Sequence, residues 1–470
     1  MNEHVFRKYD IRGKVGIDFI EDHVYSLTRA IACYFKKYHP QTKTLVVGRD
    51  GRIHSPAIAQ EVIRALTDSG FTVLELGLCP TPVFYFALHT LVVDGGIMVT
   101  ASHNGPEYNG MKINLRTDSV WGEDLQEIWR LYQRELYQQH AELAHRTPGI
   151  RVQYPLNEVY VQWLVDHFPQ LHGCAYRMVF DCGNGAAGSV MPQLVHAMGW
   201  KHASLLYEEV DGLFPHHEAD PTVAANMQDL QAHVIAMQAD IGIGFDGDAD
   251  RMIPLTHQGV LLPGDQLLAL YAQDVLSRNP GGTVVFDGKC SLMVGQIIAQ
   301  QGGVPQQAPS GHAIIKDYMR KYQALCAGEL SGHFFFADSY FGFDDGIYAA
   351  LRLMSILHTR KQSLEELRAL LPVMYSTPEI RLDCADDKKF NVVAAIQAQV
   401  MRNDLIEVQL MDGIRMITSQ GWALVRASHT QGAVSVRIES PTAEGLAQMK
   451  DIVLPLLCAH FDQKLLQIHF

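Results

Sequence analysis

Residues Ile241-Gly-Ile-Gly-Phe-Asp-Gly-Asp-Ala-Asp-Arg251 run from an apolar segment straight into three alternating carboxylates, Asp246, Asp248 and Asp250. The apolar run 239–245 has the composition of a buried strand. Three carboxylates this close repel one another unless a hard cation holds them. Mg2+ is the natural candidate, because it prefers oxygen ligands and often bridges to a phosphate. An EF-hand calcium loop is excluded, since its sixth and twelfth positions are Arg251 and His257 instead of glycine and glutamate. A solvated acidic loop would not ordinarily follow an apolar strand directly, so the stretch is read as a catalytic or structural metal site.

Strands that end in polar loops recur through the chain. After a helical stretch at about 22–38, an apolar strand at 44–47 leads through Gly48-Arg-Asp-Gly51 into a helix at 55–68, closed by Gly70, and a second strand at 71–76. The same order returns at 178–181 with Cys182-Gly-Asn-Gly185 as the turn, and at 283–287 with Gly288-Lys-Cys290. Three strand–turn–helix–glycine–strand units predict three similar α/β domains with mostly parallel sheets, since such crossovers cover both faces of the strands. Each unit is followed by another strand that runs into a polar loop: Thr100-Ala-Ser-His-Asn104, the aspartate loop, and Gly328-Glu-Leu-Ser-Gly-His333. Ligands in open α/β sheets bind at the carboxyl ends of strands, so the three loops are expected to wall one shared cleft. Breaks near Thr147-Pro148-Gly149, just after Arg251 and near Leu371-Pro372 divide the chain into 1–148, 149–253, 254–371 and 372–470. The last segment, with strands at 378–383 and 434–439 and a helix from about 442 to 457, reads as a smaller α+β domain.

A chain of 470 residues with 47% hydrophobic and 19% charged residues is an ordinary globular protein of several domains. Its formal charge of −13 argues against broad attraction to nucleic acid or anionic membrane, so an anionic ligand needs a local basic pocket. Apolar runs are too short to span a bilayer and the N-terminus lacks the apolar core of a secretion signal, which leads to the expectation of a cytoplasmic protein. The eight cysteines include no C-x-x-C pair and are expected to be free thiols.

Ser102 follows an apolar strand, with Lys112 ten residues on. A loop serine is more often a cap than a nucleophile, and no G-x-S-x-G elbow points to a hydrolase. The metal loop changes that balance, because a phosphorylated serine supplies oxygens that complete the coordination of an aspartate-bound cation. Phosphoserine near −2 beside three aspartates totals about −5, and a divalent ion with Lys112 and Arg251 brings this to about −1. Glu329, Ser331 and His333 lie in a glycine-flanked turn that suits a polyhydroxylated ligand or, equally, a helix cap. Arg426, Ser428 and Thr430 cluster a guanidinium, two hydroxyls and backbone amides, as an anion site requires. Ser310-Gly311-His312 and Lys289 are further polar turn residues, with structural and binding roles both open. Gly183-x-Gly185-x-x-Gly188 with Glu208 matches the dinucleotide fingerprint, and Gly242-x-Gly244-x-x-Gly247 matches its glycines. The second leads into carboxylates that would repel a pyrophosphate, and the corresponding turns of the other two repeats lack the pattern.

Taken together with Tyr9-Asp-Ile-Arg-Gly13, the loops at 100–104, 246–251, 328–333 and 426–430 resemble, in fixed order and essentially end to end, the α-D-phosphohexomutase family, most closely its bacterial phosphomannomutase/phosphoglucomutase branch. The resemblance implies four domains around a central cleft, with Ser102 as the phosphoserine and Asp246, Asp248 and Asp250 holding Mg2+ together with its phosphate. It implies that Arg251 and Lys112 lie beside the phosphoryl group, with Lys112 and His333 as acid/base candidates. Glu329 and Ser331 would grip sugar hydroxyls, and Arg426, Ser428 and Thr430 the substrate's own phosphate. Tyr9, Arg12 and His312 match further substrate-contacting positions, and Lys289 is carried with them as a substrate-binding candidate. The implied reaction interconverts hexose 6-phosphate and hexose 1-phosphate, mannose or glucose, through hexose 1,6-bisphosphate. A monomer is the favoured state. The sequence departs from the family pattern at Gly105-Pro106, at Ala249 where glycine is usual, and at His429 with Gln431-Gly432. Phosphoglucosamine mutase, a dinucleotide-binding oxidoreductase and a catalytically silent phosphosugar-binding protein are the alternative readings.

Overall fold

A computed structural model describes residues 1–137, 147–401, 406–428, 432–463 and 466. The chain forms two compact units, Met1–Leu267 with Ser331–Arg368, and Leu268–Leu330 with Ala369–Phe470.

The first unit holds two sheets. In one, the strands follow the order Ile11–Lys14, Tyr108–Leu115, Gly95–Val99, Thr44–Arg49, Thr72–Leu78, Arg151–Gln153. The strands joined by helical crossovers are parallel as expected, Thr44–Arg49 pairing with both Thr72–Leu78 and Gly95–Val99. The sheet as a whole is mixed, because Tyr108–Leu115 returns antiparallel to Gly95–Val99 and Ile11–Lys14 adds antiparallel outside it. Leu45, Val47, Ile97 and Val99 share a core with Leu27 and Ile31 of the Val24–Tyr38 helix and Ile58, Val62 and Leu66 of the Ser55–Asp68 helix. Those helix positions recur at four-residue spacing, which places them on one face.

In the second sheet the order is Met252–Thr256, Ile241–Phe245, Met178–Asp181, Ala203–Leu206. Ile241–Phe245 is fully buried, as its unbroken apolar run requires, and pairs parallel with Met178–Asp181 and antiparallel with Met252–Thr256. A Cβ on Gly242 would lie 2.6 Å from Val234 Cγ2, and one on Gly244 would lie 2.8 Å from Met227 Sδ. These two glycines therefore admit the segment that carries Gln228–Ala236, a packing role that accounts for the second fingerprint match.

In the second unit, Thr283–Asp287 pairs parallel with Val304–Ala308 and Cys326–Gly328. The C-terminal sheet is antiparallel in every pairing, Ala433–Ser440 lying between Trp422–Ala427 and the short strands Tyr375–Ser376 and Ile380–Asp383. The helices Lys389–Val400 and Ala443–Cys458 supply Ile396, Val400, Met449 and Val453 to its core. Thr442 caps the second of these helices by accepting from Gly445 N. Among the described residues no helix is long and apolar enough to cross a membrane, and all eight cysteines are free.

Asp345 caps the Gly346–Arg360 helix by accepting from Tyr348 N at 2.8 Å, and it also accepts from Tyr160 Oη at 2.9 Å and Tyr340 Oη at 2.8 Å. Burial pushes its carboxyl from 3.8 up to about 6, against the lowering effect of those hydrogen bonds. The folded state then binds more protons than the unfolded one between these values, so this group's contribution to stability is full below 3.8 and is lost as pH rises through about 6. At about 1.4 kcal/mol per pKa unit, the stability of the parent relative to Asp345→Asn should fall by about 3 kcal/mol across that window. Urea unfolding of both proteins at a series of pH values measures it, and parallel pH profiles would contradict it.

Candidate active site

Two loops meet in the first unit. Ser102, at the end of the Gly95–Val99 strand and its Thr100-Ala101 extension, donates from Oγ to Asp246 Oδ2 at 2.8 Å and lies 3.3 Å from His103 Nδ1. Its backbone is left-handed, φ 51°, and its amide is held by Thr100 Oγ1 at 2.9 Å. Ser102 and the aspartate loop, two of the three loops expected to wall one cleft, are in direct contact. Contact at this range requires glycine opposite: a Cβ on Gly247 would fall 2.4 Å from the Ser102 carbonyl oxygen.

Asp246, Asp248 and Asp250 are fully buried, and one carboxylate oxygen from each lies within 4.8 Å of the others. At an effective dielectric of about 20, each such pair repels by about 4 kcal/mol. Lys112 reaches in from Tyr108–Leu115 and donates to Asp248 Oδ2 at 2.9 Å and to Asp250 Oδ2. Burial alone would lower the Lys112 pKa, but Asp248 and Asp250 raise it well above its ordinary value. Asp250 feels the converse: burial raises it, and Lys112, His333 and Arg251 carry it well below the usual carboxylate range. Asp246, desolvated and facing the other two charges, is raised well above that range. Asp248 Oδ1 is buried and accepts no hydrogen bond among the described residues. Three convergent carboxylates with an oxygen to spare fit a hard divalent cation.

Arg251 donates from its amide to Asp246 Oδ1 at 3.1 Å and from Nε to His333 Nε2 at 3.1 Å, and His333 lies 3.2 Å from Asp250 Oδ1. Ser331 Oγ and His333 Nδ1 are 3.2 Å apart. Arg12 donates to Asn104 Oδ1 at 2.7 Å, and Tyr9 is buried. Of the expected residues, Ser102, Lys112, Arg251, His333 and the aspartates therefore form one cluster, with Arg12 bonded to the serine loop.

In the second unit, Lys289 sits 3.5 Å from Glu379 Oε2, and Glu329 accepts from Gly311 N at 2.6 Å, next to His312 at the start of His312–Tyr322. Arg426 Nε lies 2.9 Å from Asp412 Oδ2, and Ser428 N donates to Ala433 O at 2.8 Å. Thr430, with His429 and Gln431, lies outside the described residues.

Sequence reasoning gave no role to Thr81, whose hydroxyl donates to Asp248 Oδ2 at 2.6 Å and whose amide donates to Asp248 O at 2.9 Å. Its one signal was Pro80-Thr81-Pro82, a helix opening. Arg52, buried beneath the serine loop, was noted in no motif either. Ala249, where the family pattern has glycine, adopts φ 60°, a conformation costing an L-residue about 1–2 kcal/mol. The Gly183 fingerprint is also explained: Ala186 N donates to Gly247 O at 2.9 Å, and a Cβ on Gly185 would meet that same oxygen at 2.8 Å. The amide that would receive a pyrophosphate already serves the aspartate loop.

A buried serine hydroxyl bonded to a cation-type carboxylate cluster, with a lysine and an arginine alongside, is an arrangement chemically suited to phosphoryl transfer. Family models for the phosphoglucomutase/phosphomannomutase alpha/beta/alpha domains I, II and III match residues 3–139, 158–259 and 263–374, and the model of the C-terminal domain matches 379–456. The chain is 40% identical over 459 residues to a phosphomannomutase/phosphoglucomutase of Pseudomonas putida, covering 96% of this chain and 94% of that one. It is 36% identical to a phosphoglucomutase of Neisseria gonorrhoeae, covering 95% of each. A crystal structure of a phosphoglucomutase/phosphomannomutase family protein from Burkholderia thailandensis superposes with a TM-score of 0.88 at 33% identity, over 98% of both chains. The chain belongs to the phosphoglucomutase/phosphomannomutase family and is a hexose-phosphate mutase.

Gly247→Ala should force the Ser102 and aspartate loops apart and lower mutase turnover by about 100-fold, the usual effect of an ångström-scale misplacement. Turnover within threefold of the parent, in a variant that unfolds at the parent's temperature, would show that the close approach is dispensable.

Proposed function

We propose that this mutase interconverts the 6-phosphates and 1-phosphates of mannose and glucose by way of a phosphoryl group carried on Ser102. The observation behind this reading is the Ser102 Oγ hydrogen bond to Asp246 within the buried carboxylate cluster. Asp246, Asp248 and Asp250 would hold Mg2+, and a phosphoryl group on Ser102 would offer it a further oxygen. When bound, the ion offsets negative charge on the phosphoryl group during transfer.

In the forward half, the free hydroxyl oxygen of the hexose monophosphate attacks phosphorus and gives its proton to a base, while the bond from phosphorus to Ser102 Oγ breaks and that oxygen takes a proton from an acid. Lys112 and His333 are the acid/base candidates, and Lys112 with Arg251 balances the charge of the phosphoryl group. The resulting hexose 1,6-bisphosphate turns around and returns its other phosphate to Ser102, restoring the enzyme. Enzyme that has lost its phosphate is reloaded by the same bisphosphate. Glu329 and Ser331 hold sugar hydroxyls, while Arg426, Ser428 and Thr430 hold the phosphate that is not being transferred. Tyr9, Arg12, Lys289 and His312 complete the set that must accept the sugar in either orientation. The segments 1–148, 149–253, 254–371 and 372–470 are the corresponding domains.

Ser102→Ala should lower turnover by several orders of magnitude, since the covalent route is lost, and should abolish an added phosphate that intact mass spectrometry localises to the 102 peptide of the parent. Near-parent activity in Ser102→Ala would refute the reading. Removing divalent ions with a chelator should abolish turnover of both mannose and glucose 6-phosphates, with Mg2+ restoring it; activity unaffected by exhaustive chelation would sink the metal assignment.

A further inference from the structure

The guanidinium of Arg52 lies under the serine loop, 1% exposed, and uses all five of its N–H donors. Nε donates to Asp50 Oδ2 at 3.1 Å. One terminal nitrogen donates to the carbonyl oxygens of Gly105 at 2.6 Å and Tyr108 at 3.1 Å. The other donates to Ser102 O at 2.7 Å and Asn104 O at 2.5 Å. One side chain therefore gathers the carbonyls of residues 102, 104, 105 and 108.

Two further features show that this grip is built in. Asp50 is itself fixed, its Oδ1 accepting from Arg52 N at 3.1 Å and Ser55 Oγ at 2.5 Å, so the fork cannot swing. The ring of Phe214 lies 5.1 Å from the guanidinium carbon. Phe214 belongs to a loop that packs on the turn below Arg52, where a Cβ on Gly212 would lie 2.6 Å from Arg52 Cα. That same loop supplies Ala219 O, which accepts from Gly247 N at 3.1 Å in the aspartate loop. Arg52 thus stands where the backbone of the serine loop and the loop behind the aspartates both pack against it. Ser102 needs such a hold, because its left-handed φ of 51° is unfavourable for a serine and relaxes if its carbonyl is released.

We propose that Arg52 is a positioning residue for phosphoryl transfer: its planar fork holds the Ser102 carbonyl so that Oγ faces Asp246. The inference rests on Ser102 as the phosphoryl carrier. Arg52 touches no reacting atom, so its loss acts on transfer and leaves capture of the sugar phosphate nearly intact. A lysine keeps the charge but offers a point donor in place of the fork.

The test compares the parent, Arg52→Lys and Asp50→Asn by steady-state kinetics, thermal unfolding, and rapid-mixing measurement of phosphate loading from glucose 1,6-bisphosphate. Folded Arg52→Lys should lose about 100-fold in kcat and in loading rate, with KM within about threefold of the parent. Asp50→Asn should lose about tenfold in the same two rates. A folded Arg52→Lys that turns over and loads within threefold of the parent overturns the proposal, as does a loss confined to KM. Failure of both variants to fold also overturns it, by making Arg52 a folding residue. A parent that neither turns over nor loads Ser102 would indict the phosphoserine reading instead.

Discussion

Three carboxylates buried within 4.8 Å of one another, with a lysine ammonium between two of them, form the constraint on which the first unit depends. The aspartates end a strand of one sheet, and Lys112 stands on a strand of the other. Desolvating an ion costs several kcal/mol, and removing one partner of a buried pair leaves that cost uncompensated. The two sheets therefore cannot part without exposing or stranding charge, so the same electrostatics that serve the chemistry also bind domain to domain. The opposed shifts of Asp246 and Asp250 follow from this crowding: Lys112 and His333 both reach Asp250, and burial together with the repulsion of the other two carboxylates falls on Asp246, the carboxyl that faces Ser102.

Around this charge cluster the chain is nearly all backbone against backbone. Gly247 faces the Ser102 carbonyl, Gly185 faces the Gly247 carbonyl, and Gly346 N donates to Ala249 O at 3.1 Å where a Cβ would be 2.5 Å from Arg251 O. Side chains would hold these segments apart, and the carboxylates could no longer converge on a hydroxyl. Ala249 is the exception, accepting a left-handed backbone without glycine's freedom. Strain at Ser102 and Ala249 sits next to these close backbone approaches, which are an environment able to hold it.

The strand that ends at Phe245, the crossover at Thr44–Arg49 and Ser55–Asp68, and the helix capped by Thr442 were all legible from periodicity and turn residues. Those signals are local, and the antiparallel return of Tyr108–Leu115 was not among them, because its partners are chosen by the sheet and not by its own sequence. The meeting of Ser102 with Asp246 was legible because both loops end strands at the same edge of α/β units and a serine phosphate would complete the coordination of an aspartate-bound cation. Thr81 and Arg52 were hidden for the opposite reason: their work is done on backbone carbonyls and a single carboxylate oxygen, which leave no mark on spacing or composition. Arg52 falls one residue beyond the polar turn at 48–51, and nothing local marks it as buried.

In the second unit the cations proposed to bind substrate are already paired, Lys289 with Glu379 and Arg426 with Asp412. Lys289, Arg381 and Arg426 drive Glu379 far below the usual carboxylate range in spite of its burial, so it remains an anion. The turn that carries Lys289 is fixed in its own right, Arg437 donating to Lys289 O at 2.6 Å and Arg415 to Gly288 O at 3.4 Å. A substrate phosphate arriving at these cations must compete with resident carboxylates, so its net gain is the difference between two ion pairs and not the whole of one. For a reaction whose intermediate has to let go, turn round and bind again, a grip of that reduced depth is the one that permits both halves to proceed, since uniform tight binding of either orientation would deepen the ground state without lowering the barrier.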